Sequence, residues 1–142
     1  MKVALDTNIL MDFLFEGRPC HYEAKSVFLG ASNGLYDLQI TTQSIIDTAY
    51  QAKKSGIGFA ELKNTLEQIR VYVSIASIDW LDMSWALEHY SGDFEDDMQY
   101  ASAYNNSCDY FITRDRDLQK LNSPLCPMTV ITPQDFVSAM TQ

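Results

Sequence analysis

The chain is poor in the side chains that build soft metal sites and nucleophilic triads. Histidine occurs only as His21 and His89, and cysteine only as Cys20, Cys108 and Cys126. An odd cysteine count with no C-x-x-C pair argues against a disulfide framework and predicts reduced thiols in a cytosolic protein. No serine, histidine and acid arrangement suggests a catalytic triad, and the two histidines read as surface or packing residues. Long apolar runs are missing as well, since none approaches the roughly 18 residues of a membrane span. The N-terminus, Lys2 and a short apolar run broken by Asp6, lacks the uncharged core and cleavage site of a signal peptide. The expectation is a cytoplasmic protein with no membrane partner. Repeats, linkers and low-complexity segments are also lacking. The 142 residues read as one domain, 1–142, large enough for a core without disulfides.

Positive charge is scarce. Ten Lys and Arg face nineteen Asp and Glu, a net charge of −9. That balance weighs against a nucleic-acid partner, whose affinity comes largely from phosphate neutralisation. Bound divalent cations would cancel part of the acidity locally, and the few basic residues gather. Lys53, Lys54, Lys63 and Arg70 read as a solvated face. Arg114, Arg116 and Lys120 abut Asp115, where a solvated face and phosphate contact by Arg114 and Arg116 are equally good readings.

Strand and helix patterns alternate. Lys2–Leu5 is an apolar run closed by Asp6-Thr7-Asn8, and Ile9–Phe15 follows with Asp12 inside it. A helix is predicted over His21–Ala31, a strand over Tyr36–Thr41, and a helix carrying Ile45, Ile46, Ala49 and Tyr50. Phe59–Arg70 is amphipathic, and β-branched Val71–Ile75 predicts a third strand. A helix over Asp79–Tyr90, with Trp80, Met83, Ala86 and Leu87, precedes the acidic start of another that runs through Met98–Asn105. Strands over Tyr110–Thr113 and Met128–Ile131 follow, then a helix opened by Thr132-Pro133 and ending at Met140. This alternation predicts an α/β fold with a mainly parallel five-stranded sheet and helices on both faces. Sites in such sheets lie beyond the carboxyl ends of the strands.

Four aspartates stand where that edge would gather them. Asp6 ends the first strand, Asp47 lies early in the helix after the second, Asp96 opens the helix after Gly92, and Asp115 follows the fourth strand. Carboxylates without histidine or cysteine make a hard-oxygen site, suited to Mg²⁺ or Mn²⁺ rather than zinc. That chemistry points to phosphate esters. Each position also has a plainer reading. Asp6 is a natural helix cap. Asp47 is compatible with an exposed helix position. The Asp93–Asp97 stretch suits the positive end of a helix, with Asp93 and Asp96 at capping-box-like spacing. Residues 96 and 97 differ by about 100° around a helix, so only one of them faces a given crevice. Asp12 and Asp117 are further carboxylates whose part in a site stays open.

Asp6-Thr7-Asn8, an acid in an early helix after the second strand, Asp93-Phe94-Glu95-Asp96 before an alanine-containing helix, and Thr113-Arg114-Asp115 together resemble the PIN-domain nucleases, in the branch that contains VapC-type toxins. The resemblance covers essentially the whole chain. It implies a three-layer α/β/α fold with strand order 3-2-1-4-5. It also implies Mg²⁺- or Mn²⁺-dependent cleavage of RNA. Its acids match Asp6, Asp47, Asp96 and Asp115 as catalytic and metal-holding residues, and Thr7, Asn8 and Thr113 are placed to orient them. The second family acid is commonly glutamate, so Asp47 reaches less far. Many members dimerise, and toxin members are held inactive by a small antitoxin protein.

Two other classes compete. A haloacid-dehalogenase-type phosphatase needs a second aspartate two residues after the first, and that position is Asn8. A catalytically degenerate PIN scaffold that binds RNA or a protein partner is the non-enzymatic alternative. The shortened acid at Asp47 and the net acidity favour it, and the four retained carboxyl positions oppose it.

Overall fold

The structure is a computed structural model and describes residues 1–142. Its elements are β1 (Lys2–Leu5), α1 (Thr7–Leu14), α2 (His21–Ser32), β2 (Asp37–Thr41), α3 (Thr42–Lys54), α4 (Phe59–Ile69), β3 (Val73–Ala76), α5 (Trp80–Glu88), α6 (Phe94–Asn105), β4 (Tyr110–Ile112), a 3-10 turn (Leu118–Leu121), β5 (Thr129–Ile131) and α7 (Pro133–Met140).

All neighbouring strands pair in parallel, in the order β3-β2-β1-β4-β5. The predicted mainly parallel sheet is therefore wholly parallel. Val3 pairs with Leu38 on one side and Tyr110 on the other, so β1 is the central strand. The chain leaves β1 in one direction to build β2 and β3, and later fills the other side with β4 and β5. The reversal opens a crevice at the carboxyl ends of β1 and β4.

Period-two alternation of the central strand decides which helices cover which face. Val3 and Leu5 enter one cluster with Leu10, Phe28, Leu38 and Phe136, which seats α1, α2 and α7. Ala4 enters the opposite cluster with Tyr100, Phe111, Leu118 and Met128, which seats α6 and the 3-10 turn. The central β1 and its neighbour β4 are covered on both faces and read as apolar runs, whereas β2 buries the polar Gln39 and Thr41 and β3 leaves Ser74 and Ile75 exposed. No helix is long and apolar enough to cross a membrane.

Three local expectations shift. The third strand begins at Val73 rather than Val71, because the Tyr72 amide turns back to the Ile69 carbonyl and leaves Val71 85% exposed. The helix expected over Asp79–Tyr90 is α5, Trp80–Glu88, capped by Asp79, whose side chain accepts from the Leu81 and Asp82 amides. Ala86 on that helix is buried, whereas Trp80 and Leu87 face outward. The 3-10 turn over Leu118–Leu121 was not legible; it inserts Leu118 into the second cluster.

Candidate active site

A cavity of about 330 Å³ opens beside the carboxyl end of β1 and is lined by Asp6, Asp47, Asp93, Glu95 and Asp96, with Asn8 at its edge. A larger apolar groove of about 480 Å³ between α3, α4 and β3 has only Glu67 as an acid and belongs to no carboxylate cluster. The acids gather in the smaller, polar cavity.

Asp6 serves as a cap and as a cavity wall at once. Its Oδ1 accepts the Thr7 amide at 2.7 Å, which opens α1, and its Oδ2 accepts the Thr113 hydroxyl at 2.8 Å. It is 2% exposed. Burial raises its carboxyl to about 6, against the lowering effect of those two hydrogen bonds.

Asp47 projects from α3. Gln43 Nε2 donates to its Oδ1 at 2.9 Å, while its Oδ2 is buried with no donor. The Glu95 and Asp47 carboxyls line the same cavity. Burial first, and the neighbouring Asp47 carboxyl next, push Glu95 to about 7. The aspartate that is one methylene short thus stands against a glutamate from the facing helix.

Asp93 caps α6 by accepting the Asp96 amide at 3.1 Å. Burial first, and the Asp6 and Asp93 charges next, push Asp96 to about 8. The neighbouring Asp115 carboxyl, on the loop after β4 and outside the cavity lining, adds to the rise. The Asp115 amide donates to Thr113 Oγ1 at 3.0 Å, and its Oδ1 accepts the Asp117 amide at 2.9 Å. Asp117 itself is exposed and pairs with Lys120.

Of the two adjacent acids in α6, Asp96 faces the cavity and Asp97 does not. Asp97 is fully buried and accepts both the amide and the hydroxyl of Ser91, which ties the loop before α6 to the helix. Asp12 is likewise fully buried, and its carboxylate is paired with Arg18 and Arg114. Arg114 therefore leans on Asp12 rather than standing free in solvent, whereas Arg116 is exposed.

Beneath the carboxylates lies a buried polar network. Thr7 Oγ1 is 2.8 Å from Ser44 Oγ and accepts from Gln99 Nε2 at 3.3 Å. Thr41 Oγ1 lies 3.1 Å from both Ser44 Oγ and Gln99 Oε1, and its single proton serves one at a time. The network joins the starts of α1 and α3 to α6, which fixes Asp6, Asp47 and Asp96 relative to one another.

Sequence reasoning missed Glu95 and Gln99. Glu95 was visible only as part of an acidic stretch. Gln99 carried a usable signal, because it lies three residues after Asp96 and so near the same face of α6.

The charged groups around the cavity are all carboxylates, with no histidine or cysteine, and Asp47 Oδ2 lacks a partner. Both features fit a hard divalent cation. No three acids are arrayed as a ready-made metal cage. Mg²⁺ does not require one, since it usually takes one or two carboxylates and keeps much of its water.

Several solved structures share the fold. VapC20 of Mycobacterium tuberculosis, a sarcin-ricin loop cleaving toxin, superposes with TM-score 0.66 at 11% identity, covering 88% of this chain and 99% of that one. A toxin–antitoxin complex from Klebsiella pneumoniae gives 0.64 at 23% identity, over 92% and 97%. VapBC2 from Rickettsia felis, bound to a DNA fragment from its promoter, gives 0.63 at 14%, over 93% and 98%. At these identities the likeness is one of fold. No curated protein matches the sequence significantly. The family model described as PIN domain matches residues 2–117, most of the chain, and so the chain belongs to the PIN-domain family.

Proposed function

We propose that this protein is a divalent-metal-dependent endoribonuclease that hydrolyses RNA phosphodiester bonds and acts as the toxin of a toxin–antitoxin pair. The observation that carries the reading is the crowding of Asp6, Asp47, Glu95 and Asp96 around one cavity, with the Asp115 carboxyl near enough to raise Asp96 further. Carboxylates packed this closely repel one another and hold protons above their usual range. A cation held there would relieve that repulsion, in competition with the protons on Asp96 and Glu95.

In this reading Asp6, Asp47, Asp96 and Asp115 hold Mg²⁺ or Mn²⁺, partly through water, and Glu95 makes up the reach that Asp47 lacks. Bound ions of this kind lower the pKa of an attacking water and stabilise the leaving oxygen. Thr7 and Thr113 hold Asp6 in one orientation through both of its oxygens. Asn8 lies at the cavity edge, next to where RNA would enter. The toxin assignment draws support from the Klebsiella and Rickettsia complexes. By the same analogy the partner is an antitoxin protein; from the family resemblance, not from those complexes, we further propose a homodimer, a cytoplasmic location and a single domain over 1–142.

The lack of a ready-made cage favours the degenerate scaffold as second reading. Calorimetric titration with Mn²⁺ separates the two. The nuclease reading requires binding that weakens at least about tenfold in Asp6→Asn. Absence of binding in the unaltered protein sinks it.

A further inference from the structure

Asp12 is, with Asp97, one of two fully buried acids that the cleavage chemistry leaves unused. It lies on the core side of α1, is 0% exposed, and holds two arginines from different loops. Arg18 Nε approaches Asp12 Oδ1 at 2.7 Å, and Arg114 Nε approaches Oδ2 at 2.9 Å. One carboxylate against two guanidinium groups leaves a positive charge uncancelled, in a chain whose net charge is −9.

Both arginine side chains are partly open, 27% and 31% exposed. Arg18 Nη2 donates to Asn8 Oδ1 at 3.1 Å, and Asn8 lines the acidic cavity. Arg114 sits between Thr113, which donates to Asp6, and Asp115, whose amide donates to Thr113. Its Nε and Asp12 Oδ2 are in charge contact without hydrogen-bond alignment. Arg114 is thus anchored but not saturated. Stability does not account for such a group, because a buried ion triad is commonly no better than well-packed apolar residues of the same size. An anion would complete it.

We propose that Asp12 is the positioning residue of a two-arginine phosphate clamp, in which Arg18 and Arg114 grip a backbone phosphate of the RNA beside the acidic cavity. The proposal rests on the ribonuclease reading and adds to it where the substrate strand is held. It also resolves the charge problem, since an acidic cavity repels RNA and a fixed positive pair next to it sets the strand's register. Arginine suits the task because its planar fork pairs with phosphate oxygens in two bonds.

The test is fluorescence anisotropy of a labelled mixed-sequence single-stranded RNA pool across a salt series, in Ca²⁺, with cleavage assayed in parallel in Mn²⁺. Proteins compared are the unaltered chain, Arg18→Gln, Arg114→Gln, Arg114→Lys, Asp12→Asn and Asp96→Asn. Each glutamine variant should weaken RNA binding about tenfold. Each should also flatten the salt dependence by about 0.7 in log–log slope per lost phosphate contact. Arg114→Lys should restore the slope but only part of the affinity, and Asp12→Asn should lose affinity as both arginine variants do. A merely structural role would lower melting temperature and leave the slope alone. Folded arginine variants with unchanged affinity and slope, alongside an Asp96→Asn that no longer cleaves, would overturn the clamp and leave the nuclease standing. An unaltered protein that neither binds nor cuts RNA would overturn both.

Discussion

The Thr113 hydroxyl, just past the end of β4, donates a 2.8 Å hydrogen bond to Asp6 Oδ2, just past the end of β1. Residues 107 apart in sequence are thereby locked together at the point where the sheet reverses its winding. The same oxygen of Thr113 accepts the Asp115 amide at 3.0 Å. One fully buried threonine thus orients acids from two strand ends. Thr113→Val keeps the shape and removes both interactions. Loss of the two should cost about 1–3 kcal/mol in urea unfolding and weaken Mn²⁺ binding. Unchanged binding would show that Asp6 is held by the Thr7 amide alone.

The pH response of the metal-free protein follows from the raised carboxyls. Asp6 stands at about 6, Glu95 at about 7 and Asp96 at about 8, each lifted first by burial. Unfolded, such groups ionise near 4. Between those limits the folded chain holds protons that the unfolded chain has released, so stability falls as pH rises. These groups favour folding fully below about pH 4, and that favour is gone above about pH 8. In EDTA the melting temperature should be lower at pH 8.5 than at pH 5, by roughly several degrees for a domain of this size. Mn²⁺ affinity should move the other way, since protons and cations compete for the same oxygens. A melting temperature in EDTA that climbs over this range would contradict the cluster.

Glu95→Gln separates a ligand from a bystander. Removing one of the repelling charges should raise the melting temperature in EDTA and cut the shift produced by Mn²⁺. An equal Mn²⁺ shift in both proteins would leave Asp47 as the sufficient acid on that side.

Asp96 and Asp97 make a matched pair of opposite outcomes. Asp97→Ala leaves the Ser91 amide and hydroxyl without their acceptor and empties a buried site. It should destabilise by about 2–4 kcal/mol while Mn²⁺ affinity per folded molecule stays near normal. Asp96→Asn should do the reverse. Thermal melts and Mn²⁺ titrations of the two variants, run together, check both halves.

The legibility of the fold and site can be traced residue by residue. Lys2–Leu5 and Tyr110–Ile112 announced themselves as buried strands, because a parallel strand covered on both faces has no polar alternation to hide it. The caps Asp6, Asp93 and Thr132 were equally plain, since each accepts amides at the start of the helix that follows it. Val71 misled because β-branching signals strand chemistry whether or not the backbone has finished its turn. Trp80 and Leu87 belong to the helix that the pattern predicts but face outward, because apolar character alone does not fix which side of α5 meets the core. The choice between Asp96 and Asp97 needs the rotation of α6 against the sheet, which no spacing rule supplies. Glu95 and the arginine pair on Asp12 were hidden for a similar reason. Their meaning lies in contacts between elements, Asp47 with Glu95 and Asp12 with Arg114, over sequence distances that pattern reading does not join.

The most direct test of the central claim is cleavage of a labelled mixed RNA pool by the purified protein in Mg²⁺, in Mn²⁺ and in EDTA, beside Asp6→Asn and Asp96→Asn. The account predicts products with either metal, none in EDTA, and a loss of at least about a hundredfold in both variants. Cleavage that persists in EDTA, or that survives in a clean preparation of either variant, would contradict it.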